Sequence, residues 1–217
     1  MNTSKTYQKF PSVEYANPDG LLAMGGDLSV ERLLDAYNNG IFPWYSASEP
    51  ILWWSPDPRM VLFPENLKVS KSMKQLFKKE SFQVTFNQDF HNVIENCATI
   101  RREGQDGTWI TQEIKDAYLK LHHLGIVQSV EVWQDKELVG GLYGIYLKDK
   151  KIFCGESMFA KVSNASKYGF ITYIRKLKAE GVSLIDCQIY TEHLHSLGAY
   201  EIPRKEFLAY LEYSKTP

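Results

Sequence analysis

The chain has 217 residues, of which 44% are hydrophobic and 24% are charged, and its formal net charge is −1. This globular composition fits one large domain or two unequal ones, and a near-neutral chain has no global attraction to nucleic acid. The three cysteines are scattered, which argues against a disulfide or metal scaffold. There is no apolar signal segment and no apolar run of the ~20 residues that a membrane span needs, so we expect a cytoplasmic protein without membrane association.

The N-terminal part of the sequence is rich in Pro, Gly and Trp and is predicted to form a small α+β domain. Within it, Ser29 can cap a short helix whose end is followed by Gly40. The two prolines of "SPDPR" (Ser55 to Arg59) discourage continuous regular structure. We therefore predict a boundary there, which divides the chain into residues 1–59 and 60–217.

The remaining predicted elements alternate between strands and helices. The strand "MVLFP", the helix "SKSMKQLFKK", the strand "FQVTF" and two more helices precede a hairpin in which "SVEVWQ" pairs with "ELVGGLYGIYL". The chain then returns as "KIFCGESMFA" and continues as a helix, the strand "LIDCQIY" and a last helix near "EHLHSLG". This order resembles the acyltransferase architecture of the GNAT superfamily. The predicted fold class is α+β, with a GNAT-like domain whose mixed, mainly antiparallel sheet is flanked by helices.

Polar side chains interrupt two of the apolar strands. Alternation in "LIDCQIY" places Asp186 and Gln188 on one face, and alternation in "IFCGESMF" places Glu156 on one face with Cys154 and Met158. An unpaired buried carboxylate costs several kcal/mol, so these groups either have structural partners, such as a basic group, or form a site. If the two strands are adjacent, the carboxylates and the amide could hold a cationic amine and steer its proton.

Two other patterns have both a structural and a functional interpretation. Lys71, Lys74 and Lys78 form one stripe on a predicted helix, which indicates either a solvated face or a contact with a phosphate backbone. The loop residues Trp44 and Trp109 either pack in the core, the default for tryptophan, or stack on a base.

Some features of a CoA-dependent acetyltransferase are missing. The start of the helix after the hairpin reads "KVSNASKYG" (Lys161 to Gly169), where such an enzyme would have a glycine-rich loop for the pyrophosphate. No Ser-His-Asp or Cys-His signature is present, and no metal site is predicted. Cys187 points away from Asp186 by alternation, so we interpret it as a packing residue.

Nine motifs carry a resemblance to a known family: "GLLAMGGDLS", "GIFPW", "ILWWSPDPR", "GTWIT", "LVGGLYG", "FCGESMF", "NASK", "LIDCQ" and "HLHSLGAYEIPR". In this order they resemble the leucyl/phenylalanyl-tRNA–protein transferases over nearly the whole chain. The resemblance implies an enzyme of the N-degron pathway that moves Leu or Phe, with Met as a further candidate, from its tRNA to the α-amine of a protein beginning with Arg or Lys. It implies no cofactor, and we expect a monomer.

The resemblance also assigns residues to roles. It implies a catalytic centre of Asp186, Gln188 and Glu156, and a tRNA contact by Lys71, Lys74 and Lys78. The residues implied for the terminal adenosine and the transferred side chain are Trp44, Trp109, Tyr37, Tyr118, Leu142, Phe153, Met158, Phe170, Tyr173 and Ile185. The sequence departs from the family pattern in having Leu142 in place of a methionine, a hydroxyl at Tyr173, and Thr191 in place of an asparagine.

The implied reaction is aminolysis of an ester by an α-amine, whose ordinary pKa of about 7.7–8.0 leaves a useful neutral fraction. In this hypothesis Gln188 hydrogen-bonds the amine, while Asp186 polarises Gln188 and relays the proton. Two alternatives stay open at this point: a CoA-dependent N-acetyltransferase and a non-catalytic tRNA-binding module.

Overall fold

Helix α1 (Val30–Asn38) begins where its capping chemistry predicts, because the Ser29 hydroxyl accepts a hydrogen bond from the Arg32 N–H. The computed structural model describes residues 9–100 and 108–213. Beside α1, three short strands form an antiparallel sheet in the order β1-β3-β2. Their bounds are β1 (Leu21–Met24), β2 (Phe42–Pro43) and β3 (Leu52–Trp54).

A seven-stranded sheet forms the rest of the fold, in the order β10-β4-β9-β8-β7-β6-β5. Its strands are β4 (Arg59–Leu62), β5 (Gln83–Phe86), β6 (Val127–Gln134), β7 (Glu137–Leu147), β8 (Ile152–Ala160), β9 (Leu184–Gln188) and β10 (Tyr200–Ile202). The helices are α2 (Lys71–Lys78), α3 (Phe90–Thr99), α4 (Gln112–His123), α5 (Ala165–Ala179), α6 (Glu192–Ser196) and α7 (Arg204–Tyr213). The β8–β9 pair is parallel and the other neighbouring pairs in the described chain are antiparallel. The predicted α+β class with a mixed, mainly antiparallel sheet is therefore confirmed.

Two apolar cores lie on opposite faces of the large sheet. Neighbouring residues of one strand accordingly point into different cores. Leu184 packs into the core that also holds α1, α3, α4 and α7, whereas Ile185 packs into the core under α2 and α5. Since α1 shares the first core, the N-terminal part is packed against the large sheet. The predicted boundary between residues 59 and 60 falls one residue inside β4 and stays a prediction. No helix in the described ranges is long and apolar enough to cross a membrane.

A bulge in β8 corrects one prediction from strand alternation. Tyr143 pairs with Ser157 and Gly144 pairs with Gly155, so Glu156 is an extra residue without a partner on β7. The extra residue exchanges the two faces of the strand beyond it. Met158 consequently packs on the same core as Phe153, and the prediction that it shares a face with Cys154 is wrong.

A buried ion pair joins the distant parts of the chain. Arg59 donates from Nε and Nη2 to the two carboxylate oxygens of Asp186 at 2.8 and 2.7 Å, and both side chains are 1% exposed. The guanidinium lies between the rings of Phe42 and Phe207, at 4.8 and 4.7 Å from their centroids. Its Nη1 donates to the Gly40 carbonyl oxygen at 3.2 Å. One cation thus connects the N-terminal part, β9 and α7.

Removal of this cation should destabilise the fold strongly, since Asp186 would remain buried without its countercharge. We expect Arg59→Met to lower the free energy of unfolding by about 3–5 kcal/mol. The double variant Arg59→Met with Asp186→Leu should lose less than Arg59→Met alone, because no unpaired charge remains. Urea unfolding at pH 7 measures both changes. If the loss of unfolding free energy in the double variant equalled the sum of the losses in Arg59→Met and Asp186→Leu, the pairing would be contradicted.

Candidate active site

A cavity of about 490 Å³ opens where β8 and β9 separate. The parallel pairing of the two strands ends at Cys154 and Asp186, and beyond this pair both strands continue along the cavity wall. The predicted site residues that line the cavity are Trp44, Trp109, Leu142, Phe153, Glu156, Met158, Phe170, Ile185 and Gln188. The structure therefore brings together residues from the N-terminal part, the sheet and α5.

Glu156 is the polar centre of this cavity. Its Oε1 accepts a hydrogen bond from Nε2 of Gln188 at 3.0 Å, and its Oε2 accepts one from the Tyr118 hydroxyl at 3.0 Å. The Tyr118 hydroxyl in turn forms a hydrogen bond with the hydroxyl of Tyr37. The chain Tyr37–Tyr118–Glu156–Gln188 thus links α1, α4, β8 and β9.

The charge of Glu156 changes near neutral pH. Burial raises the pKa of its carboxyl group to about 7, and the hydrogen bonds from Tyr37 and Tyr118 oppose this rise. Burial also raises the pKa of both tyrosine hydroxyls well above the ordinary value, so they stay protonated. A carboxyl group with a pKa near the working pH suits proton transfer.

Asp186 and Gln188 do not point into the same place, although strand alternation predicts that they share one face. Asp186 does not line the cavity; its carboxylate binds Arg59, and Oδ1 also accepts the backbone N–H of Gln188 at 3.0 Å. Gln188 has a left-handed backbone with φ of 67°, and its side-chain amide binds Glu156. Asp186 therefore contacts the backbone of Gln188 and not the side-chain amide that it is predicted to polarise.

Three predicted tyrosines lie behind the cavity and are absent from its lining. Tyr37 and Tyr118 are fully buried and support Glu156. Tyr173 is 3% exposed, and its ring packs edge-on against Phe153 with centroids 5.0 Å apart. Its ring therefore supports the apolar wall from behind.

The two predicted tryptophans also line the cavity. Trp44 is 36% exposed and Trp109 is half-buried. Trp54 fixes the backbone of Trp44 by donating from Nε1 to its carbonyl oxygen at 2.6 Å, and the two rings meet edge-on. The two tryptophan rings offer aromatic faces on which a base could stack.

The predicted lysine stripe lies outside the cavity lining. Lys71, Lys74 and Lys78 are exposed on α2, whose buried Met73 packs into the core shared with α5. None of the three lysines forms an ion pair with another residue in 9–100 or 108–213.

Beyond β9, the sequence singled out Thr191 as a departure from the family pattern but gave no role to its neighbour His193. Thr191 lines the cavity while its hydroxyl accepts the N–H of Leu194 and caps α6. His193 also lines it; Nε2 is buried without a hydrogen-bond partner among the described residues, and burial lowers the pKa of the ring. The motif "HLHSLGAYEIPR" contains His193 but gave no reason to choose it. Cys187 lines the cavity too, and burial raises the pKa of its thiol, so it stays protonated and is a poor nucleophile.

No metal cluster accompanies these groups in the part of the chain that the structure describes, where no three His, Cys, Asp or Glu side chains are grouped to hold an ion. The site combines an apolar pocket, a carboxyl group bonded to an amide, and two tryptophans.

Comparisons with known proteins agree with this architecture. A family model described as leucyl/phenylalanyl-tRNA protein transferase matches residues 61–212, and one for the N-terminal domain of that family matches residues 26–57. A leucyl/phenylalanyl-tRNA–protein transferase from Christiangramia forsetii is 67% identical over 204 residues, which cover 94% of this chain and 96% of the relative. The one from Flavobacterium johnsoniae is 58% identical and covers 94% and 95%.

The solved structures that this chain matches are far more distant in sequence. A structure of L-PGS from Bacillus licheniformis matches with a TM-score of 0.41 and 10% identity, over 77% of this chain and 55% of the other. A GCN5-related N-acetyltransferase from Kribbella flavida matches with a TM-score of 0.38 and 9% identity, over 77% and 59%.

The family matches define an aminoacyltransferase. The chain belongs to the leucyl/phenylalanyl-tRNA protein transferase family, as its motifs predict.

The raised pKa of Glu156 predicts a pH-dependent effect on stability. Folding favours the neutral carboxyl group, so its stabilisation is complete below the unfolded pKa of about 4.3 and is lost as the pH rises to about 7. Glu156→Gln cannot ionise and should therefore raise the midpoint temperature at pH 8, by about 2–4 °C for each kcal/mol, but have little effect at pH 4.5. Thermal melts at both pH values measure this, with the exposed Glu137→Gln as control. Equal shifts at the two pH values would contradict the raised pKa.

Proposed function

We propose that this chain transfers Leu or Phe, with Met as a further candidate, from aminoacyl-tRNA to the N-terminal α-amine of proteins that begin with Arg or Lys. The observation that carries the proposal is the set of groups that line one cavity. Leu142, Phe153 and Phe170 form an apolar part of its wall, and Trp44, Trp109 and Glu156 line the same cavity. An aminoacyl-adenosine presents matching groups, namely an apolar side chain, an ester and a base.

The reaction is aminolysis. The acceptor nitrogen attacks the ester carbonyl carbon, the C–N bond forms, and the C–O bond to the ribose breaks; the amine loses one proton and the ribose oxygen gains one. Alignment of amine and ester can lower the barrier by up to roughly 7–11 kcal/mol. In this proposal Gln188 hydrogen-bonds the amine, and Glu156 carries the proton because its pKa is about 7.

Asp186 takes a positioning role in this proposal. Its carboxylate is held by Arg59 on both oxygens and lies outside the cavity lining, which makes it a poor proton acceptor for a substrate there. Through the backbone N–H of Gln188 it fixes the turn that presents the Gln188 amide. The proton relay predicted for Asp186 is therefore assigned to Glu156.

The acceptor and the cellular role follow from the same chemistry. The charged form of Glu156 attracts a cationic N-terminus, and the family resemblance supports acceptors with N-terminal Arg or Lys. Such a transfer creates a new N-terminal Leu or Phe, the mark read in the N-degron pathway. The need for charged tRNA makes the cytoplasm the proposed place of action, and the proposed enzyme acts as a monomer without a cofactor.

A transfer assay tests the proposed function. Charged Leu- or Phe-tRNA mixed with a peptide beginning with Arg should yield a peptide extended by one residue. Glu156→Gln should slow this transfer by about 10²–10⁴-fold, because general-base help is lost. Its affinity for aminoacyl-tRNA should stay within about twofold, since the amide keeps the shape of the site. Full turnover by this variant would contradict the proton-carrying role.

The same assay separates the two rivals. A CoA-dependent N-acetyltransferase would modify the peptide with acetyl-CoA and ignore charged tRNA, and a tRNA-binding module would bind tRNA without extending any peptide. A peptide beginning with Ala is the matched acceptor control, and it should be extended far more slowly than the Arg peptide.

The lysine stripe should contribute to tRNA binding through phosphate contacts. Replacing Lys71, Lys74 and Lys78 by Gln should weaken binding and reduce the slope of log K against log salt by about 2–3, as expected for three lost contacts. Binding titrations between 50 and 200 mM salt measure the slope. The control replaces three exposed lysines of other elements, Lys120, Lys136 and Lys148, by Gln. If both triple variants had the wild-type slope, the stripe would be an ordinary solvated face.

A further inference from the structure

His193 contributes a polar atom to the cavity wall that no other group in residues 9–100 or 108–213 hydrogen-bonds. The residue lies in α6 and lines the cavity, and its Nε2 is buried without a partner. The Thr191 hydroxyl caps α6 by accepting the N–H of Leu194, which fixes the turn that carries the imidazole. A buried polar atom without a partner costs free energy, so this nitrogen is suited to a group that a ligand brings.

A second basic group lies near this imidazole. Burial and the charge of Lys167, in the first turn of α5, both lower the pKa of His193. The Lys167 side chain is half-buried, and neither basic group forms an ion pair with a carboxylate in the described ranges. The residue before it, Ser166, lines the cavity. Two neighbouring basic groups that lack an acidic partner favour the binding of an anion.

The helix that carries His193 is joined to the segment that leads into the lysine stripe. Directly after α6, the Leu197 carbonyl oxygen accepts the N–H of Lys68 at 2.9 Å, three residues before α2 begins. A Cβ at Gly198 would lie 2.2 Å from the Asn66 carbonyl oxygen, so the two segments are in close contact. A single turn thus connects this part of the cavity wall with the base of α2.

We propose that His193 and Lys167 bind the phosphate that links the terminal adenosine of charged tRNA to the preceding nucleotide. The inference rests on the proposed function and adds two binding residues to it. When the adenosine occupies the cavity, this phosphate is the anion that enters with it, and the rest of the tRNA backbone continues towards the lysine stripe. An imidazole can donate from Nε2 to a phosphate oxygen in its neutral and in its protonated form, and a lysine supplies a point charge.

The test uses two probes that differ only in the phosphate, adenosine and adenosine whose 5′ oxygen carries a methyl phosphate diester. The wild type should bind the diester at least about tenfold more tightly, as expected for hydrogen bonds to a charged group. His193→Ala and Lys167→Gln should each reduce this ratio severalfold, and the double variant should bind the two probes equally. Calorimetric titrations at one salt concentration measure the ratio.

The matched control is a double variant of exposed residues on the same two helices, His195→Ala on α6 with Lys178→Gln on α5. It should keep the wild-type ratio. Structural damage to the cavity alone would lower both affinities by one factor, so an unchanged ratio in the His193 and Lys167 variants would overturn the inference.

The remaining outcomes separate this inference from the proposed function. A wild-type protein that bound the diester no more tightly than adenosine, or bound neither probe, would overturn the inference even if transfer from charged tRNA were normal. A ratio that depended on His193 and Lys167, in a protein that transferred nothing from charged tRNA, would defeat the proposed function and leave the phosphate site standing.

Discussion

The ion pair of Arg59 with Asp186 is the interaction on which the rest of the structure depends. A buried guanidinium needs a countercharge, and Asp186 supplies it through both carboxylate oxygens. Two aromatic rings cover the faces of the guanidinium. The partners come from β4, β9, β2 and α7, so none of these elements can move without exposing a charge. Conformational specificity is a known use of such pairs, and here it fixes how the N-terminal part sits on the large sheet.

The same ion pair also positions a side chain in the cavity, through two successive contacts. Asp186 holds the backbone N–H of Gln188 in a left-handed turn, and the amide of Gln188 then meets Glu156. Glu156 receives its second support from Tyr118 and Tyr37 on the opposite side. The carboxyl group with the perturbed pKa is thus held from the sheet and from two helices, which keeps it oriented.

Much of this organisation could be predicted from the sequence, and the failures have physical causes. Hydrophobic patterns predicted the sheet class, because a buried face leaves a period of two, and the motifs identified the family. The β8 bulge escaped prediction, since alternation assumes a regular ladder and one extra residue reverses it. The partner of Asp186 also escaped, because Arg59 is far away in sequence and "SPDPR" was interpreted only as a boundary. His193 was missed because an unpartnered ring nitrogen is visible only in three dimensions.

The hydrogen bond between Tyr37 and Tyr118 has a consequence for how the protein is made. Tyr37 emerges early from the ribosome, but the carboxyl group that it helps to support, and the amide beyond it, are synthesised in the last third of the chain. Phe207, which closes one face of Arg59, follows near the C-terminal end of the described residues. A nascent chain therefore cannot hold a complete site until both Gln188 and Phe207 have been synthesised.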